Sequence, residues 1–215
     1  MAVQIPLFPL NAVLFPHMPM ALHIFEDRYK QMMRDCLDQG TTFGVVAIRE
    51  GREVGPSAKP HSVGTLAQMR GVDPLPDGRY NIVIVGASRF HIDALSRELP
   101  YLTGEITYMQ DAPATPHTAV LAQHVARQFT EYVRAVRSLS NEAPADVELP
   151  DEPELLSYLV AAALQIAVPE RQRLLEIDSA DERLRMCQST LRREHVLLEN
   201  MLGYAVASAG SPPLN

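Results

Sequence analysis

Catalysis needs a nucleophile, a base or a ligand set at workable spacing, and this chain offers few. Lysine occurs twice, as Lys30 and Lys59, against 17 arginines. Lys30 lies in a predicted helix, and SAKPHS around Lys59 is not the glycine-rich loop that cradles phosphate. A serine–lysine pair needs a lysine depressed by apolar surroundings, which neither context supplies. The histidines His17, His23, His61, His91, His117, His124 and His195 form no HExxH. His117 and His124 fall seven apart on one predicted helix without a cysteine or carboxylate at ligand spacing, so they read as surface residues. Cys36 and Cys187 form no CxxC, which leaves neither a zinc ribbon nor a disulfide framework to read. The acid pair Glu26-Asp27 opens a helix, where the macrodipole accounts for it. No catalytic residue, metal site or cofactor is assigned.

The elements that would position any site come next. A chain of 215 residues, 47% hydrophobic, buries enough surface to fold without staples. Its charge of −7 and lack of a basic cluster remove the attraction that dominates nonspecific nucleic-acid binding. The longest weakly polar run, residues 155–168, falls short of the roughly 20 residues that span a bilayer. No basic region precedes an apolar core at the N-terminus, so a soluble protein of the reducing cytoplasm is expected, without a membrane partner.

In residues 26–40, Tyr29, Met32, Met33, Cys36 and Leu37 share one face and Gly40 closes the pattern, which predicts an amphipathic helix. Strands are predicted at 43–48, 63–72, 79–87, 88–95 and 101–110, with a turn at Asp77-Gly78. In 88–95, Phe90, Ile92 and Ala94 alternate with Arg89, His91 and Asp93. Closely spaced strands joined by turns imply antiparallel pairing in a small sheet or partly closed barrel. From Pro113 the pattern turns helical. Leu121, Val125, Phe129, Val133 and Val136 form one stripe, and 155–167 reads as a buried helix. A short helix carries Pro169 near its first turn. SADE, 179–182, is a capping box ahead of a stripe of Leu184, Cys187, Leu191, Leu198 and Met201. Residues 140–154, with six acids and no base, read as a solvated connection, and 208–215 as a frayed tail. The expected organisation is a β-rich part, 1–111, and a helical part, 112–215.

The opening stretch IPLFPLNAVLFPHMPM is apolar enough for a strand, yet Pro6, Pro9, Pro16 and Pro19 exclude an ordinary central one. Phe8, Leu10, Leu14, Phe15, Met18 and Met20 either fill the interior of the β-rich part or line an apolar groove for extended polypeptide. Methionines adapt such a groove to varied partners. These six residues are the candidate polypeptide-binding site.

The stretch through MALHIFEDRYKQMMRDCL resembles the start of the Lon protease N-terminal, substrate-recognition domain, in the form found in short stand-alone proteins. The similarity continues through FGVV, VGTLAQM, DGRYNIVIVGASRFHI and PYLTGEI into LLSYLVAAALQIAVPERQRLLEIDSADERLRMCQSTL. The resemblance implies an α+β protein: an N-terminal PUA-like β pseudo-barrel with one helix, followed by a C-terminal helical bundle. It implies substrate recognition without the ATPase and serine–lysine peptidase modules, hence a non-enzymatic protein whose partners are polypeptides. Self-association is left open. Many relatives carry glycine where this chain has His17; a type II turn there needs positive φ, whereas a type I turn accepts histidine. The alternatives are RNA binding through an arginine patch of Arg49, Arg52, Arg70 and Arg89, or a small-molecule receptor or enzyme with a closed polar pocket.

Overall fold

A computed structural model describes residues 3–53, 55, 58–140, 143 and 147–209, with side chains described through 198. Its elements are β1 (Val3–Leu10), β2 (Pro19–Ile24), α1 (Asp27–Gln39), β3 (Phe43–Glu50), β4 (Lys59–Pro74), β5 (Tyr80–Ser96), β6 (Thr103–Tyr108), α2 (Pro116–Leu139), α3 (Pro153–Ala163), α4 (Val168–Glu176) and α5 (Ala180–Ala209). The strands form one mixed sheet in the order β2-β5-β4-β3-β1-β6, and β6 pairs again with β5. The sheet therefore curls back upon itself.

β1 reconciles its prolines with an interior position by changing partner halfway. Residues Val3 to Pro6 pair antiparallel with β6, and Leu7 to Leu10 pair parallel with β3. Each half has one ladder to serve, so a proline can turn its missing N–H to the other side. The strand is also buried on both faces: Ile5 and Leu7 enter one core, Phe8 and Leu10 another. That double burial explains the near-continuous apolar run.

The second core contains Ile24, Met32, Met33, Phe43, Ile82 and Ile84 beneath α1. Tyr29, Met32, Met33 and Cys36 point inward as the spacing predicts, but Leu37 is exposed. Gly40 takes the left-handed conformation that ends the helix, at φ 61°. The first core, with Leu66, Phe90, Ile92 and Ile106, lies on the opposite face of the sheet.

The two predicted strands at 79–87 and 88–95 are one bent strand, β5. Between the Ala67–Gly86 and Thr65–Arg89 pairs, β5 spends one residue more than β4. Such a bulge exchanges the faces of all later side chains. Ile82 and Ile84 accordingly face the core under α1, whereas Phe90 and Ile92 face the other. Beside it, His17 holds φ 66°, and the Met18 N–H donates to the Phe15 carbonyl at 3.2 Å. Histidine thus occupies a left-handed position, which glycine reaches without the crowding a Cβ brings.

Contacts divide the chain into two compact units. One comprises the described residues through Ala112 together with Ala161–Asp178; the other comprises Pro113–Val160 and the described residues from Ser179 onward. The chain returns once to the first unit, so that α4 belongs with the strands. Gln172 donates to the Val63 carbonyl at 3.1 Å. Arg89, expected on an outward face, is 2% exposed, pairs with Asp111 and donates to the carbonyls of Leu175 and Ile177 at 2.7 Å.

In the other unit α2 packs against α5. Thr115 caps α2 reciprocally with Thr118, and the buried stripe is Ala122, Val125, Phe129 and Tyr132. That stripe is rotated from the predicted one, keeping Val125 and Phe129. Arg183 of α5, fully buried, donates to Ser157 Oγ at 2.8 Å and lies 3.9 Å over the Tyr158 ring. Leu184, Cys187 and Leu191 are buried as predicted, whereas Met201 lies outside the described side chains. Residues 141, 142 and 144–146 of the acidic connection and 210–215 of the tail lie outside the described residues; 208 and 209 end α5.

Candidate functional site

The six candidate residues separate by depth. Phe8, Leu10, Leu14 and Phe15 are buried, whereas Met18 and Met20 are partly exposed. Leu14 is tied down through its carbonyl, which accepts the Thr65 hydroxyl at 2.7 Å. Phe8, Leu10 and Leu14 share the core under α1, and Met20 packs against it. Phe8 meets the Tyr29 ring edge-on at 4.3 Å.

Of the six, Phe8 and Leu10 also reach a cavity of about 370 Å³, across which they meet Ala21, Leu22, Ile24 and Phe25. β2 places the latter group. Among the described strands it pairs with β5 alone, so its other edge carries no ladder. Proline at its first position is compatible with such an edge. Its residues alternate, with Met20, Leu22 and Ile24 turned inward and Ala21 and His23 outward. Phe25, one residue beyond the strand, is 52% exposed and stacks on His23 at 6.1 Å. Sequence reading missed Phe25. The available signal was a large aromatic directly between the alternating strand and the acidic start of α1.

Glu26, Tyr29 and Glu53 complete the lining. Burial pushes the Tyr29 hydroxyl up to about 12; the Arg28 guanidinium opposes this, and Glu26 and Glu53 add to it. A shallower apolar concavity of about 590 Å³ shares Ala21, Leu22 and His23 and continues past Val72 to Val83, which is 46% exposed. Together the two concavities follow β2.

The largest concavity among those described, about 820 Å³, is different in kind. Asp35, Gln39, Thr41, Gln68 and Tyr101 supply polar groups, within a rim that includes exposed Leu37 and Tyr108. Tyr101 donates to Asp35 at 2.7 Å; burial, reinforced by that carboxylate, raises its pKa. Two of these polar groups, Tyr101 and Asp35, thus already serve each other.

The four arginines of the RNA-binding alternative do not share one environment. Arg89 is buried, Arg70 donates to Gln68 at 2.9 Å, and Arg49 lies 3.5 Å from Glu50. Both lysines face carboxylates, Lys30 with Asp27 at 2.7 Å and Lys59 with Glu50 at 2.9 Å. No group of three or more metal-ligating side chains occurs among the described residues, and no described helix is long and apolar enough to cross a membrane.

Comparison with known proteins agrees with this architecture. Lon protease of Xanthomonas oryzae is 29% identical over 188 residues, covering 86% of this chain and 22% of that protein. Lon protease of Escherichia coli K12 is 24% identical over 200 residues, covering 92% and 26%. The chain thus spans about a quarter of the length of these relatives. The crystal structure of a Lon N-terminal domain protein from Xanthomonas campestris superposes with a TM-score of 0.66 at 25% identity, covering 87% of this chain and 98% of that one. The N-terminal domain of a Mycobacterium avium complex Lon protease gives 0.68 at 17% identity, covering 88% and 98%. The family model for the substrate-binding domain of the ATP-dependent protease La (LON) matches residues 4–193, and the chain belongs to that family.

Proposed function

We propose that this chain is a non-catalytic recognition protein that binds extended apolar or unfolded segments of other polypeptides. In this reading the curled sheet is the PUA-like pseudo-barrel, the helices of the second unit form the bundle, and the protein works in the cytoplasm. The observation that carries the reading is the unpaired edge of β2, which shares an apolar cavity with Phe8 and Leu10 and presents exposed Phe25. An extended peptide can extend such an edge with main-chain hydrogen bonds while alternate side chains enter the concavities alongside. Membership of a substrate-binding family supports the same direction.

Within the candidate set, Phe8 and Leu10 form the cavity wall, Met20 packs against the core behind it, and Leu14 and Phe15 are buried. The test is the affinity of a fluorescently labelled, permanently unfolded polypeptide. Phe25→Asp and Val83→Asp alter exposed positions and leave the fold intact; together they weaken binding about tenfold or more. Unchanged affinity in that folded double variant removes the β2 site.

A further inference from the structure

We propose, resting on the polypeptide-binding reading, that the cavity beside β2 receives a basic side chain, lysine or arginine, of the bound segment. Tyr29 is 3% exposed and lines the cavity, and its hydroxyl has no hydrogen-bond partner among the described residues. A buried hydroxyl left unbonded is unfavourable, and a ligand that bonds to it recovers that loss. The charge around it selects the ligand.

Glu26 and Glu53 line the same cavity, and no lysine or arginine among the described residues does. Arg28, over the Tyr29 ring at 4.3 Å, is held by the Glu26 carboxylate at 3.0 Å and by the Glu53 carbonyl, also at 3.0 Å. Glu26 is thereby satisfied, whereas the Glu53 carboxylate has no hydrogen bond or ion pair within the described structure. Glu26 and Asp27 occupy the positive end of α1, and Lys30 holds Asp27.

The walls complete the selection. The rings of Phe8, Phe25 and Tyr29 offer faces and edges to a long aliphatic stem and attract a cationic head. An acidic side chain would meet two carboxylates. A purely apolar one would leave both the Tyr29 hydroxyl and Glu53 without partners. A lysine or arginine fills the apolar walls with its stem, donates to the Tyr29 oxygen and faces Glu53. A volume of about 370 Å³ suits one such side chain.

The test uses the full chain and short unstructured peptides of one apolar host sequence carrying lysine, arginine, norleucine or glutamate at the centre, read by fluorescence anisotropy. On the wild-type protein the lysine and arginine peptides bind about fivefold tighter than the norleucine peptide, and the glutamate peptide binds weakest. Glu53→Gln, at an exposed position, brings lysine and norleucine within about twofold of each other. Equal binding of lysine and norleucine by wild type, or an advantage that survives Glu53→Gln undiminished, overturns the pocket assignment and leaves polypeptide binding standing. Failure of every peptide to bind overturns both.

Discussion

Around Phe90 the interior is filled by backbone, whereas around Tyr29 it retains space and an unbonded hydroxyl. A Cβ on Gly64 would lie 2.7 Å from Phe90 Cζ, and one on Gly44 would lie 2.5 Å away. These strands approach the ring as closely as glycine permits. One residue along β1 from Leu7, which belongs to the Phe90 core, Phe8 borders the cavity of about 370 Å³ that Tyr29 shares. The same strands build both cores through alternate residues. One core packs closely around the Phe90 ring; the other borders a cavity.

Phe90→Ala tests the rigid side and has the largest expected effect, a loss of about 3–5 kcal/mol in denaturant unfolding. A loss below about 1 kcal/mol would mean that this core relaxes easily, and the contrast would fall. Gly64→Ala should follow, at about 1–3 kcal/mol, because the added methyl also meets the Val45 carbonyl oxygen at 2.6 Å and has no flexible neighbour there to displace. Indifference to that methyl would show that the close approach is not needed.

The Tyr29 side predicts the opposite sign. Tyr29→Phe removes a buried hydroxyl without a hydrogen-bond partner among the described residues, and stability should rise by about 1 kcal/mol. The pH dependence gives a second reading. The folded pKa is raised to about 12 from 10.0, so the unfolded chain loses this proton first. The contribution is therefore present below pH 10 and is lost as the pH rises towards 12. Between those values wild type should lose stability faster than Tyr29→Phe; parallel curves would show that the hydroxyl is bonded or solvated after all.

This contrast was partly legible in the sequence. The α1 face, the strands around Asp77-Gly78 and the stripe of Leu184, Cys187 and Leu191 follow from periodicity, because each presents a single buried face. β1 defeated that reasoning: a strand buried on two faces and sharing two neighbours has no period to display, and its prolines suggest a break. The bulge in β5 is equally silent, since Ile82 and Phe90 have matching parity yet enter opposite cores. Arg89 looked like a surface base until α4 returned to the strand unit and supplied carbonyls to it. The candidate site was legible in part. Phe8 and Leu10 announced apolarity at an unusual opening, but Phe25 and Glu53 are distant in sequence and share a cavity because Glu53, beyond the end of β3, lies against Arg28 of α1.

Phe25→Ser carries the smallest expected change in stability and separates the two regions most cleanly. The ring is half exposed and belongs to neither core, so its loss should alter unfolding by less than about 0.5 kcal/mol. The side chain nevertheless forms part of the cavity wall and stacks on His23 beside the unpaired edge of β2. A wall retained for recognition should cost binding without costing fold, whereas a wall retained for stability should cost both. If Phe25→Ser lowers the unfolding midpoint as strongly as Gly64→Ala, the cavity is a packing defect bridged by an aromatic, and the division between a rigid and a receptive core does not hold. A midpoint within error of wild type, together with weaker polypeptide binding, would place recognition where a strand edge, an apolar hollow and an exposed ring coincide.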